Sequence, residues 1–311
     1  MNLDPKLVDA YLHRLGVSRP AHPDPEALAE MQRRHLTTVP FENLAIHLGE
    51  EIVLDTAALV RKVALTPRGG ICYELNGAFA GLLTALGYRV ALLAGRVYDK
   101  HARLGPPYDH LALRVEVPDT PGRWLVDVGF GQFSSRPLCY DSRDLQWDAV
   151  GVFRLADTDE GDLDLFGDAL PRYRLEQRPR LLRDFEATCW WHRTSPRSMF
   201  TRGPLCTRQT DDGGRITLSG RRLTVTAPDG RRREEHLADE GELLAAYRRH
   251  FGIPLDREPP PAALPGAESG RERSTGPPGR PAPEGGARRG TSPEAPAGAR
   301  RPGQSPSSQP S

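Results

Sequence analysis

No stretch of about 18 apolar residues occurs in the 311-residue chain, so nothing in it reads as a membrane-crossing helix. The opening residues, Met1-Asn2-Leu3-Asp4-Pro5-Lys6, lack a basic segment leading into an apolar one, so no signal peptide is expected. Cysteine is scarce. Cys72, Cys139, Cys189 and Cys206 lie far apart and never form Cys-x-x-Cys, which argues against a disulfide framework and signals no metal site. Charge of one sign is also missing. The formal net charge is +1 and the basic residues are scattered, giving no reason to expect a nucleic-acid partner. These absences point to a cytoplasmic protein with neither membrane nor nucleic acid as partner. Residues 257–311 lack aromatics, valine and isoleucine and hold one leucine, Leu264. Such a segment cannot bury enough apolar surface to offset its ordering entropy, so a disordered Pro/Gly/Ala/Arg-rich tail is expected.

What remains is ordinary globular material, with 38% hydrophobic and 27% charged residues. Residues 1–87 read as a helical bundle. Asp4 caps a helix that begins at Pro5, carries Leu7, Tyr11, Leu12 and Leu15, and stops at Gly16. Asp24 and Pro25 repeat the recipe ahead of Leu28 and Met31. Pro40-Phe41-Glu42-Asn43-Leu44 interrupts, and a shorter helix follows around Thr56–Ala64. Leu75, Phe79, Leu82, Leu83 and Leu86 then recur at helical spacing before Gly87, marking a buried helix.

From Tyr88 the period changes to two, and residues 88–200 read as a small antiparallel sheet or barrel. Arg89–Val97 is one strand. His110–Val117 is clearer, with Leu111, Leu113, Val115 and Val117 on one face and His110, Ala112, Arg114 and Glu116 on the other. Pro118-Asp119-Thr120-Pro121 turns the chain into a returning strand, Trp124–Phe130. Across residues 201–256, short strands Ile216–Leu218 and Leu223–Val225 and a helix Glu242–His250 complete an α+β pattern.

The chemistry concentrates at Arg68-Gly69-Gly70-Ile71-Cys72-Tyr73-Glu74-Leu75-Asn76. Two glycines let the backbone approach other groups closely, and Cys72 falls in the first helical turn, where free N–H groups favour an anion. A thiol so placed can fall from about 8.5 to roughly 3.5–7.5. It needs a base, and the base an orienting group. The turn at Pro118–Pro121 sets Val117 opposite Gly122 and Ala112 opposite Asp127. His110 and Asp127 are then diagonal neighbours on one face, about 7–8 Å apart at the backbone and within side-chain reach. Cys72, His110 and Asp127 together indicate a cysteine triad, which alone does not separate hydrolysis from transfer. Arg68 is read as the partner of a core carboxylate such as Glu42, and Glu74 and Asn76 as braces of the Cys72 helix.

The Cys72 segment resembles the nucleophile motif of the arylamine N-acetyltransferases. Pro40-Phe41-Glu42-Asn43-Leu44, His110-Leu111, Val126-Asp127-Val128-Gly129-Phe130-Gly131 and Thr194-Ser195-Pro196-Arg197-Ser198-Met199-Phe200 resemble further family motifs, in order, over roughly residues 4 to 255. The resemblance implies a helical bundle, a β-barrel and an α/β lid around a transglutaminase-like core. It implies acetyl transfer from acetyl-coenzyme A, a substrate rather than a tightly bound cofactor, to arylamines, arylhydrazines and N-hydroxyarylamines in two half-reactions. Cys72 would carry the acetyl group, His110 move its proton and Asp127 orient the imidazole. Phe41, Phe130, Gly131, Ser198 and Phe200 would contact substrate or coenzyme. The run Cys189-Trp190-Trp191-His192-Arg193 departs from the pattern, and His192 beside two tryptophans is read as a packing residue. Amide synthases of the same family, which release or cyclise a polyketide chain, would use the same triad. A cysteine peptidase and a non-catalytic scaffold are the readings from outside the family.

Overall fold

In the computed structural model, residues 3–260 are described. Five helices and one short strand come first: α1 (Pro5–Leu15), α2 (Pro25–Thr38), β1 (Phe41–Glu42), α3 (Leu44–Leu48), α4 (Thr56–Leu65) and α5 (Cys72–Ala85). The caps are those the sequence announces. Asp4 accepts from the Lys6 amide at 3.0 Å and Asp24 from the Ala27 amide at 2.8 Å, each followed by proline at the first helical position. Helix α5 is buried on every side from Cys72 to Leu83, as an all-round apolar sequence requires.

A barrel-like sheet follows, built from β2 (Arg89–Val97), β3 (His110–Glu116), β4 (Arg123–Val126), β5 (Leu138–Cys139), β6 (Gln146–Asp148), β7 (Gly151–Asp157), β8 (Leu163–Gly167) and β9 (Leu170–Leu175). Its eight strands run in the order β5-β4-β3-β2-β9-β8-β7-β6, every pair antiparallel. The edge strands β5 and β6 are joined by one side chain. Gln146 donates from Nε2 to the Cys139 carbonyl at 3.0 Å and accepts from the Cys139 amide at 2.6 Å. An amide that mimics a ladder rung thus nearly closes the barrel. One face of strand β3, Leu111, Leu113 and Val115, packs on the helices, while Ala112 on the other joins Leu93, Leu125, Leu165 and Tyr173 in the barrel interior.

The chain then forms α6 (Glu186–Thr194), β10 (Leu205–Gln209), β11 (Arg215–Ser219), β12 (Arg222–Thr226), β13 (Arg232–His236) and α7 (Glu240–Ala246), which continues through a wide turn to Phe251. Helix α7 packs Leu243, Ala246 and Tyr247 against Leu218 and Leu223 of β11 and β12.

Three features differ from the sequence reading. The segment to residue 200 is not all strand, because α6 lies within it. Strand β1, inside the helical region, belongs to the last sheet and pairs Phe41 with Thr207 and Glu42 with Cys206. Asn43 reinforces that tie, donating to the Phe200 and Gly203 carbonyls at 2.9 Å each and accepting from the Leu205 amide at 2.6 Å. Finally, the packed chain runs past residue 256. Pro259 is buried, the Pro260 carbonyl lies 3.0 Å from His47 Nδ1, and Glu258 pairs with Arg221. The rest of the expected tail, 261–311, lies outside the described residues. A chain ending at Asp256 should therefore melt a few degrees below one ending at Pro260, since the buried His47 loses a bond worth about 1 kcal/mol. Equal melting temperatures in a calorimeter would show those four residues to be dispensable.

Candidate active site

The Gly69-Gly70 turn is pinned against β1. A Cβ on Gly69 would sit 1.7 Å from the Pro40 carbonyl oxygen, so only glycine fits, and the Glu42 amide donates to the Gly70 carbonyl at 3.0 Å. Arg68 donates from Nε to Glu42 Oε1 at 2.9 Å and also pairs with Glu50. Burial opposes ionisation of Glu42, but Arg68, Lys62 and the Leu44 amide more than offset it and hold the carboxyl below the usual range. Glu74 accepts from the Ile71 amide at 3.0 Å and from Lys62 at 2.6 Å, fixing the start of α5. Cys72 is thereby held as the first residue of a rigid helix, 3% exposed, with its Sγ 4.0 Å from the Asp109 carbonyl.

His110 and Asp127 arrive from the barrel. The β3–β4 ladder pairs Leu113 with Val126 and Glu116 with Arg123, the register the turn implied, so Asp127 follows β4 diagonally from His110. His110 Nε2 lies 2.7 Å from Asp127 Oδ2, leaving Nδ1 as the ring nitrogen for a proton exchange. Asp127 is wholly buried and also receives Tyr173 Oη at 3.0 Å, Asn76 Nδ2 at 2.8 Å and the Gly129 amide at 2.9 Å. With the imidazole, four donors converge on its two oxygens, a set suited to a carboxylate. Tyr173 stays a donor, because burial and then Asp127 push its phenol well above the ordinary value.

Asn76 is the brace between the two halves. From α5 it donates to Asp127 and to the Leu111 carbonyl (2.6 Å) and accepts from the Val128 amide (2.9 Å). Gly129 passes so close that a Cβ would stand 2.8 Å from Cys72 Cα. Helix, strand and loop are locked around the same few atoms.

Cys72 and His110 both line one cavity of about 550 Å³. Phe41, Phe130, Gly131 and Phe200 line it too, whereas Asp127 stands behind His110. Ser198 is not among the residues that line the cavity. Its hydroxyl accepts from the Phe200 amide at 3.1 Å and meets His192 Nδ1 at 3.2 Å, so it caps a turn instead.

The thiol also behaves differently from the sequence expectation. Burial pushes Cys72 well above the ordinary cysteine value; the Leu111 amide draws it down, while Asp109 and Asp127 push it further up. Burial therefore works against the helix start, and a neighbouring cation would favour the thiolate. The remaining cysteines are free thiols. Burial lifts Cys189 to about 12 and pushes Cys206 well up as well.

Two residues escaped the sequence reading. Tyr173 sits on β9, a neighbour of β2 only in the folded sheet. Asp109 lines the cavity, accepts from the Val97 amide at 3.1 Å and lies 3.0 Å from His192 Nε2, off the hydrogen-bond direction. His192 is buried among the rings of Tyr73, Trp191 and Phe200, as packing suggested, and also reaches the cavity. Among the described residues, no cluster of His, Cys, Asp or Glu is placed to hold a metal ion, and no helix is long and apolar enough to cross a membrane.

A buried Cys–His–Asp constellation between a helical bundle and a barrel, beside a cavity, defines a class of acyl-handling folds rather than a single activity. Comparison with known proteins narrows it. A family model described as N-acetyltransferase matches residues 24–259. An arylamine N-acetyltransferase of Mycolicibacterium smegmatis is 35% identical over 256 residues, covering 79% of this chain and 91% of that protein. An arylamine N-acetyltransferase / N-hydroxyarylamine O-acetyltransferase of Salmonella typhimurium is 32% identical over 255 residues, with 78% and 88% covered. Among solved structures, the Mycobacterium marinum arylamine N-acetyltransferase in complex with CoA superposes with a TM-score of 0.73 at 30% identity, over 79% of this chain and 92% of that one. The chain belongs to the arylamine N-acetyltransferase family, and it is an acyltransferase.

Proposed function

We propose that the protein transfers an acetyl group from acetyl-coenzyme A to the nitrogen of an arylamine or arylhydrazine, or to the oxygen of an N-hydroxyarylamine, through an acetyl-Cys72 intermediate. The observation that carries this reading is Asp127, which three other donors fix in place and which holds His110 beside the cavity that Cys72 also lines. His110 takes the Cys72 proton, and the imidazolium supplies the cation that the buried thiolate requires; Asp127 stabilises that charge. The sulfur attacks the thioester carbonyl, and the Cys72 amide at the start of α5 is an oxyanion donor. Coenzyme A leaves with the proton from His110. The acceptor nitrogen then attacks acetyl-Cys72, His110 removes its proton, and the thiol is restored. Phe41, Phe130 and Phe200 give the acceptor ring an apolar surround that limits competition from water.

Steady-state kinetics with acetyl-coenzyme A and a panel of arylamines, hydrazines and N-hydroxyarylamines test the reading. Parallel double-reciprocal lines and coenzyme release before acceptor is added are expected. Intersecting lines, with release only when both substrates are present, would replace the covalent route by direct transfer.

A further inference from the structure

The five-stranded sheet contributes one wall of the cavity: Phe41, Leu205, Thr207, Arg215 and Thr217. Four of these are apolar or neutral, and one is a cation. Arg215 is only partly exposed, and among the described residues no carboxylate lies within 4.0 Å of it. Its one hydrogen bond runs from Nη1 to Thr207 Oγ1 at 3.3 Å. Thr207 Oγ1 is itself engaged with Thr217 Oγ1 at 2.8 Å and with the Ile216 carbonyl at 3.1 Å.

Three other half-buried arginines are well provided for. Arg68 has Glu42 and Glu50, Arg14 has the Val63 and Arg68 carbonyls, and Arg208 has the His250 and Thr37 carbonyls. Arg215 has five N–H donors and one hydroxyl to receive them. Burial alone lowers it to about 10, so it remains a cation at neutral pH. The cavity's carboxylates do not answer it, since Asp99 takes Arg103 and Asp109 takes the Val97 amide beside His192. A guanidinium fork left open toward a ligand cavity suits a planar carboxylate bound through two parallel bonds.

We propose that Arg215, with the Thr207–Thr217 hydroxyl pair, is a carboxylate subsite that selects ligands bearing an acid group. The group can be carried by an aminoaryl acid as acceptor or by a dicarboxylic acyl thioester as donor. This rests on the cavity being the acyl-transfer site. Matched pairs separate the sources: 4-aminobenzoate against its methyl ester, and malonyl-coenzyme A against propionyl-coenzyme A. Arg215→Met is expected to lower kcat/KM about 10- to 100-fold for the acid member of one pair, through KM, and to leave the neutral members and acetyl-coenzyme A unchanged. Loss confined to the first pair places the carboxylate on the acceptor, and loss confined to the second places it on the donor. Equal loss for acid and neutral members, or no loss, overturns the proposal.

A second readout needs no turnover. Benzoate should raise the melting temperature of the wild type but not of Arg215→Met, whereas benzamide should treat both alike. A benzoate shift in the wild type without any catalysis would support the subsite while the acetyl-transfer reading fails; no benzoate preference in either assay would sink the subsite. Should the methionine variant not fold, Arg215→Lys keeps the cation without the fork. It should retain a preference for the acid while losing part of the affinity, and an unchanged preference and affinity would contradict bidentate recognition.

Discussion

Asp127→Asn is expected to lower the rate of acetyl transfer by about 10⁴-fold, the scale of the corresponding change in a serine-protease triad. The physical reason is specific to this site. Both Asp127 oxygens are acceptors for four donors, from His110, Tyr173, Asn76 and Gly129. An asparagine replaces one oxygen with an NH2 that must face another donor. Either His110 loses its partner and turns to the wrong tautomer, or Asn76 and the Gly129 amide lose theirs. The imidazolium that balances the thiolate then goes without its counter-charge. Stability should fall too, by about 1–3 kcal/mol for the buried donor left unpaired. Circular dichroism and a melting curve separate the two effects, because the rate loss is far larger than the unfolded fraction could explain. A variant with near-normal rate would remove Asp127 from the mechanism.

The second large effect concerns His110 and the protonation of the thiol. Burial is the largest influence on Cys72 and raises its pKa, with Asp109 and Asp127 adding to the rise. Without the imidazole, the thiol should titrate above the ordinary value of about 8.5. On the proposed mechanism His110 takes the thiol proton, and the thiolate should then persist into mildly acidic solution. Iodoacetamide should therefore modify wild-type Cys72 readily near pH 6. In His110→Gln, modification at pH 7 should be slower by about 10² or more, recovering only as the pH rises through the raised thiol value. Superimposable pH profiles for the two proteins would mean that the helix start, and not His110, makes the thiolate.

Much of this site was legible in the sequence because its determinants are local. The glycine pair, Cys72 at a helix start and the caps at Asp4 and Asp24 depend on neighbours a few residues away. The His110–Asp127 geometry was legible because one short turn fixes the register of two alternating strands. What escaped depends on distant pairing. Strand β1 is two residues long and finds β10 more than 160 residues later, so no local period marks it. Helix α6 carries Cys189, Trp190, Trp191 and His192 and has no side-chain N-cap, so it lacks the usual start signal. Tyr173 reaches the site from β9, whose pairing with β2 is set only by the barrel-like sheet. The turn that the Ser198 hydroxyl caps was not legible, because a motif gives a residue's neighbourhood, not the direction of its hydroxyl.

The central claim is that Cys72 carries the acyl group, and intact-protein mass spectrometry tests it most directly. Mixed with acetyl-coenzyme A in the absence of acceptor, the wild-type chain should gain a single acetyl group, mapped by peptide digestion to Cys72 and lost on adding an arylamine. Cys72→Ala should gain none. An acetyl adduct that persists in that variant, or one that forms but is not discharged by any arylamine, would contradict the account.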